Sequence, residues 1–132
     1  MRFVPFVPPD DLPAWTAGAD VGVLLIEPRT ESLRLALPNK LFEYLQAGLP
    51  VLASPIPEVR RVVEGWDVGL VADPADDGAV EAALRRALFD TDARSHWRAN
   101  VPAALRAHAW ADDAERFARA VRALLPAPPG PT

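Results

Sequence analysis

Cysteine is absent from this chain of 132 residues, and lysine, tyrosine and methionine occur once each. Without cysteine, disulfides, thiolate metal sites and cysteine nucleophiles are excluded. Histidine occurs twice, as His96 and His108, and neither has carboxylates at metal-ligand spacing beside it, so no metal site is expected. No apolar stretch approaches the ~20 residues that cross a bilayer. The N-terminus lacks a basic region followed by a long apolar segment, so no signal peptide is predicted and the expected compartment is the cytoplasm. Basic residues form no run and the formal net charge is −4. Binding to nucleic acid, which needs a clustered basic face, is therefore not expected. Ser54 follows an apolar run without a Gly-x-Ser-x-Gly elbow, so it does not read as a nucleophile.

What is present is an ordinary globular composition, 50% hydrophobic and 24% charged. The length suits one domain, predicted to run from residue 1 to 125. The segment 126–132 is too proline-rich for helix or sheet and reads as a frayed tail. Four short apolar runs recur: Phe3 to Val7, Val21 to Ile26, Pro50 to Ala53 and Val68 to Val71. They are continuously apolar rather than alternating, the mark of strands covered on both faces. Helical patterns separate them, at Leu12 to Gly18, Asn39 to Ala47, Pro57 to Glu64 and Asp77 to Phe89. Two more follow, around Ala93 to Arg106 and Asp112 to Leu125. Asp10 or Asp11 suits the first N-cap. Strand alternating with helix predicts an α/β fold, an open parallel Rossmann-like sheet with flanking helices.

The single lysine, Lys40, lies in the most specific stretch of the chain, Pro38-Asn39-Lys40-Leu41-Phe42-Glu43-Tyr44-Leu45-Gln46-Ala47-Gly48-Leu49-Pro50. In open α/β sheets, ligands bind beyond the carboxyl ends of the strands. The segment from Glu27 to Leu37 reads as the loop at the end of the second strand, and Pro38 suits the first turn of the helix after it. The N–H groups of Asn39, Lys40 and Leu41 would then point into the crevice and, with the helix dipole, suit a phosphate. Glu43 stands three residues after Lys40 and four after Asn39, so the three share a face, and a carboxylate there can accept from ribose hydroxyls. Spacing alone leaves open the plainer alternative, a capped helix with a Lys40–Glu43 surface pair.

The stretch LPNKLFEYLQAGLPVLAS resembles the nucleotide-binding signature of retaining glycosyltransferases with two Rossmann-like halves, the GT-B fold of the group 1 or family-four type. VPPDDLPAWTAGADVGVLLIEP is similar to the helix and strand that precede it in that family. HAWADDAERFARAVRALL is similar to its terminal helix, so the resemblance runs from Met1 to about Leu125. It implies a nucleotide diphosphate-sugar as donor substrate, no tightly bound cofactor and no metal. It implies that Asn39, Lys40 and Leu41 meet the diphosphate, that Glu43 binds ribose, and that Phe6 and Val7 lie near the base. The family's sugar-contacting glutamate falls at position 35, where this chain has Leu35. The Pro28-x-x-Glu31 pattern offers Glu31 as the sugar contact instead.

The resemblance covers the donor half alone, which implies a partial GT-B C-terminal domain whose partner is an N-terminal acceptor-binding half, in cis or in trans. A bare sheet edge is then expected at Phe3 to Val7, with self-association through it. Two other readings stand beside transfer: a non-catalytic nucleotide- or partner-binding remnant of a split or truncated gene, and a nucleotide-sugar epimerase-like protein.

Overall fold

Among the described residues, three of the four apolar runs contain strands. The structure, a computed structural model, describes residues 6–124, and of residues 111 and 112 the backbone alone. The elements follow in the order α1 (Leu12–Ala17), β1 (Gly22–Leu24), α2 (Glu31–Arg34), α3 (Asn39–Gln46), β2 (Val51–Ala53), α4 (Pro57–Gly65), β3 (Gly69–Val71), α5 (Asp77–Phe89), α6 (Thr91–Ala107) and α7 (Trp110–Leu124). The strands form one parallel sheet in the order β1-β2-β3. Its register places Gly22 opposite Val51 and Val51 opposite Gly69. The α/β class with a parallel sheet and flanking helices is therefore as the sequence predicts.

The core gathers on β2, all three of whose residues are buried. The helix α3 buries Leu41 and Leu45, one turn apart, against it. From α4 come Val59, Val62 and Val63, and from α6 Val101 and Ala104, all in one buried cluster. Helices α5 and α6 begin on aspartates: Asp76 Oδ1 accepts from Ala79 N–H at 3.0 Å, and Asp90 Oδ1 from Ala93 N–H at 2.9 Å. Such caps satisfy donors that a helix N-terminus otherwise leaves open. Arg86 of α5 stacks on the buried Trp97 ring of α6, 5.5 Å from its centroid.

Two helices hand the chain to the sheet by the same device. After α3, Leu49 N–H donates to Tyr44 O at 3.0 Å and Gly48 N–H to Leu45 O at 2.8 Å, with Gly48 at φ 74°. After α4, Val68 N–H donates to Val63 O at 3.0 Å and Asp67 N–H to Glu64 O at 3.2 Å. This is the six-to-one and five-to-two pairing of a left-handed helix stop. Asp67 takes the left-handed position with φ 47°, and α6 secures it. His96 Nε2 lies 2.6 Å from its carboxylate, and Asn100 donates to its backbone oxygen at 2.9 Å.

Several expectations change. The run Phe3 to Val7 lies mostly outside the described residues, and Phe6 and Val7 belong to no strand. The edges of the described sheet are β1 and β3. Val23 of β1 is 43% exposed, so continuous apolarity there does not mean cover on both faces. The presumed loop from Glu27 to Leu37 contains the short helix α2, started by Thr30, whose Oγ1 accepts from Leu33 N–H at 3.3 Å. Pro38 stands just before α3 in an extended conformation rather than inside its first turn. The apolar stripe of α7 faces outward, with Phe117 66% and Leu124 85% exposed. The proline-rich tail lies outside the described residues.

Gly69 is required by the pairing itself. A Cβ there would sit 1.8 Å from the backbone oxygen of Val51, its partner in the ladder, and backbone cannot swing aside as a side chain can. Gly69→Ala should destabilise by at least the ~1–3 kcal/mol usual for overpacking. Gly65→Ala, where a Cβ meets nothing within 4 Å, should instead gain ~0.4–1 kcal/mol by restricting the unfolded chain. Urea unfolding midpoints of the two variants read the contrast.

Candidate functional site

The helix α3 follows β1, so its N-terminus lies on the side of the sheet's carboxyl ends. Its orientation is fixed at three points. Leu41 and Leu45 anchor it in the core. Tyr44 lies over Gly22, where any Cβ would come within 2.3 Å of its ring. The Tyr44 hydroxyl donates to Val23 O at 3.3 Å, meeting a carbonyl on the outer side of β1.

With its buried side committed, α3 turns Lys40, Glu43 and Gln46 outward, each three residues after the last. They form one wall of a groove of about 470 Å³, and Leu12, Pro13 and Thr16 of α1 form the other. Lys40 Nζ donates to Glu43 Oε2 at 2.6 Å, and the two side chains are 44 and 47% exposed. The hydrogen bond to Glu43 raises the Lys40 pKa above its ordinary 10.5; desolvation opposes it, and the charges of Glu43 and Tyr44 add to it. The ammonium is thus fully charged at neutral pH. A raised pKa means that the stability tied to the Lys40 proton is fully present below pH 10.5 and lost only as pH climbs through the raised value. Exposure keeps that contribution below about 1 kcal/mol.

The site residues expected from the sequence divide into two sets. Lys40 and Glu43 come together in the groove. Leu41 does not present itself there: its side chain is fully buried, and its N–H donates to Pro38 O at 3.0 Å. Among the described residues, this leaves the N–H groups of Asn39 and Lys40 as uncommitted donors at the start of α3. The Asn39 side chain is exposed but does not line the groove. Glu31 opens α2, 3.9 Å from Arg34 and outside the groove lining. Leu35 is 70% exposed. Phe6 is 87% exposed, and neither it nor Val7 lines the groove, which the N-terminal segment reaches at Pro9.

Two residues gain importance: Gln46, which the sequence did not single out, and Ser54, set aside there as a nucleophile. Gln46 completes the polar side of the groove; its three-residue step beyond Glu43 is a signal the motif already carried. Ser54, just after β2, is 1% exposed. Its Oγ accepts from Ile26 N–H at 2.6 Å, while its own N–H donates to Leu24 O at 3.0 Å. It therefore ties the carboxyl ends of β1 and β2 together and fixes where the segment toward α2 and α3 departs. No group of three or more metal-ligating side chains gathers among the described residues.

The matching protein-family model is described as glycosyl transferases group 1, and the match covers residues 1–90. The chain belongs to that family. The matched residues take in all three strands, both walls of the groove and Ser54, and stop at the end of α5. The resemblance read from the sequence extended further, to the terminal helix. No curated protein and no solved structure matches. For a group 1 glycosyl transferase the general chemistry is movement of a glycosyl group, and no helix among the described residues is long and apolar enough to cross a membrane.

Ser54→Ala should leave the Ile26 N–H without its partner and cost ~1–2 kcal/mol. Lys40→Met, which removes only an exposed pair, should cost less than about 1 kcal/mol. Equal losses for the two variants in chemical unfolding would contradict the latch at Ser54.

Proposed function

We propose that the groove between α1 and α3 holds the nucleoside diphosphate part of a nucleotide-sugar donor, and that the chain is the donor-binding part of a glycosyltransferase. The observation that carries this reading is the placing of Lys40 and Glu43 side by side on one wall of a groove at the start of α3. Helix N-termini favour anions through their free N–H groups and dipole. An ammonium has three donors, so Lys40 can keep Glu43 with one and give the others to phosphate oxygens. Glu43 engages Lys40 through Oε2, which leaves Oε1 to accept from ribose hydroxyls. In transfer, the bond from the anomeric carbon to the diphosphate oxygen breaks and a bond to the acceptor oxygen forms. Lys40 and the N–H groups of Asn39 and Lys40 lower the cost of the charge that builds on the departing diphosphate. Retention of anomeric configuration, and an acceptor-binding half that completes the enzyme, follow from the sequence resemblance and are part of the same proposal.

A second reading, nucleotide binding without transfer, is favoured by one observation. Leu35 stands where the resemblance implies a sugar-contacting glutamate, and Glu31, its substitute, lies outside the groove lining.

Titration calorimetry with nucleoside diphosphates tests the site. Glu43→Gln should weaken binding by ~1.5–3 kcal/mol, the cost of a hydrogen bond to a charged acceptor. Lys40→Met should weaken diphosphates more than the bare nucleosides. Lys40→Arg should restore only part of the loss, because a planar fork replaces a compact charge. Unchanged affinities in Glu43→Gln would remove the ribose role, and equal losses for nucleoside and diphosphate in Lys40→Met would make Lys40 a support of the helix.

A further inference from the structure

The polar side chains of the groove are not equally committed. Lys40 and Glu43 hold one another. Thr16 turns its hydroxyl back to Leu12 O at 2.8 Å. Gln46 has no hydrogen-bond partner among the described residues, and it stands at the end of the wall farthest from the helix N-terminus. Apart from Thr16, the remaining groove lining is apolar or small: Ala47 follows Gln46, and Pro9, Leu12, Pro13 and Ala17 come from the N-terminal side. From Lys40 to Gln46 the helix rises by about 9 Å. A nucleotide laid along this wall with its phosphates at Lys40 and its ribose at Glu43 brings its base to Gln46, whose amide is free among mostly apolar lining residues.

We infer that Gln46 reads the nucleobase, which makes it the specificity-determining residue of the groove; the inference rests on the donor-site reading above. A side-chain amide presents an N–H donor and a carbonyl acceptor side by side in a single plane. It pairs with an adjacent acceptor and donor, which uracil presents at O4 and N3–H, adenine at N1 and the amino group, and guanine at O6 and N1–H; the choice among them rests on where along the edge the amide meets that pair. A base whose edge is unmatched leaves the amide desolvated and unpaired, and that penalty, more than the gained bond, produces discrimination. The apolar residues around it accept the faces of any base, so they add affinity without choice.

The test compares UDP, ADP and GDP binding to the unaltered protein and to Gln46→Ala, Gln46→Glu and Glu43→Gln. Because Gln46 is exposed at the end of α3, the substitutions should leave the unfolding midpoint in place, and the readout is the ratio of affinities, which cancels any general effect of an added charge. Gln46→Ala should compress the spread between the three nucleotides by about fivefold, the worth of one hydrogen bond. Gln46→Glu presents two acceptors in place of an acceptor and a donor. It should move the ranking toward GDP, whose base offers two neighbouring donors, N1–H and the 2-amino group, and away from UDP. Inorganic pyrophosphate, which has no base, should bind both Gln46 variants in the same proportion to its binding by the unaltered protein as ribose 5-phosphate does. An unchanged ranking in both Gln46 variants, with Glu43→Gln still weakening all three nucleotides, overturns the role of Gln46 and leaves the donor site standing. Failure of all three nucleotides to bind the unaltered protein, or indifference to Glu43→Gln, overturns the donor site and the inference with it.

Discussion

The row Gly22, Val51 and Gly69 crosses the sheet at the start of each strand, with a glycine on either side of the central valine. Each glycine is there for a different neighbour. Gly69 lets β3 reach ladder distance of the Val51 backbone, and Gly22 yields the space that the Tyr44 ring fills. The second contact links the sheet to the groove. Tyr44 can pack on the beginning of β1 only because nothing projects there. With Tyr44, Leu41 and Leu45 inward, the opposite side of α3 has no choice but to present Lys40, Glu43 and Gln46. At the far end of the same strands Ser54 clasps β1 to β2. The sheet is held at its amino ends by missing side chains and at its carboxyl ends by one buried hydroxyl.

Much of this was legible in the sequence because it is written in short-range terms. The runs ending at Ile26, Ala53 and Val71 are apolar and bounded by turn residues, and the strands fall inside them. The helix bounds Asp77 and Phe89 were read without error because an aspartate precedes the first and a break in apolar spacing follows the second. Less legible were features that depend on neighbours. Val23 reads as a core residue, yet β1 is an edge of the described sheet, and periodicity contains no information about which strand has a neighbour. The helix α2 escaped because one turn shows no period, and its only sign was Thr30 ahead of Glu31. The terminal helix was legible from apolar residues at helical spacing, but spacing does not say what they pack on. Here Phe117 and Leu124 face solvent.

The candidate site divides along the same line. That Lys40 and Glu43 share a face is a property of helical spacing and needed no structure. That Leu41 turns its N–H to Pro38 O, and so withdraws from the proposed phosphate cradle, depends on the extended conformation of Pro38 and was not visible in its identity alone. The opposing wall from α1 was likewise invisible, because nothing in the order of residues says that Leu12 and Thr16 line the same groove as Gln46. The ion pair itself is ambivalent. As a surface pair it contributes little to the fold, and the same exposure leaves both charges within reach of a ligand.

The scarcity of lysine has a practical chemical consequence. Lys40 carries the only side-chain amine in the chain, so an amine-directed reagent that modifies a side chain modifies the wall of the groove and nothing else. Its raised pKa makes the free amine scarce at neutral pH, which slows acylation and favours mildly alkaline conditions. Among its side chains the molecule thus offers a single amine for a dye, a spin label or an isotopic tag, already located beside Glu43. Whatever fills the groove will be recorded in how fast that one nitrogen reacts.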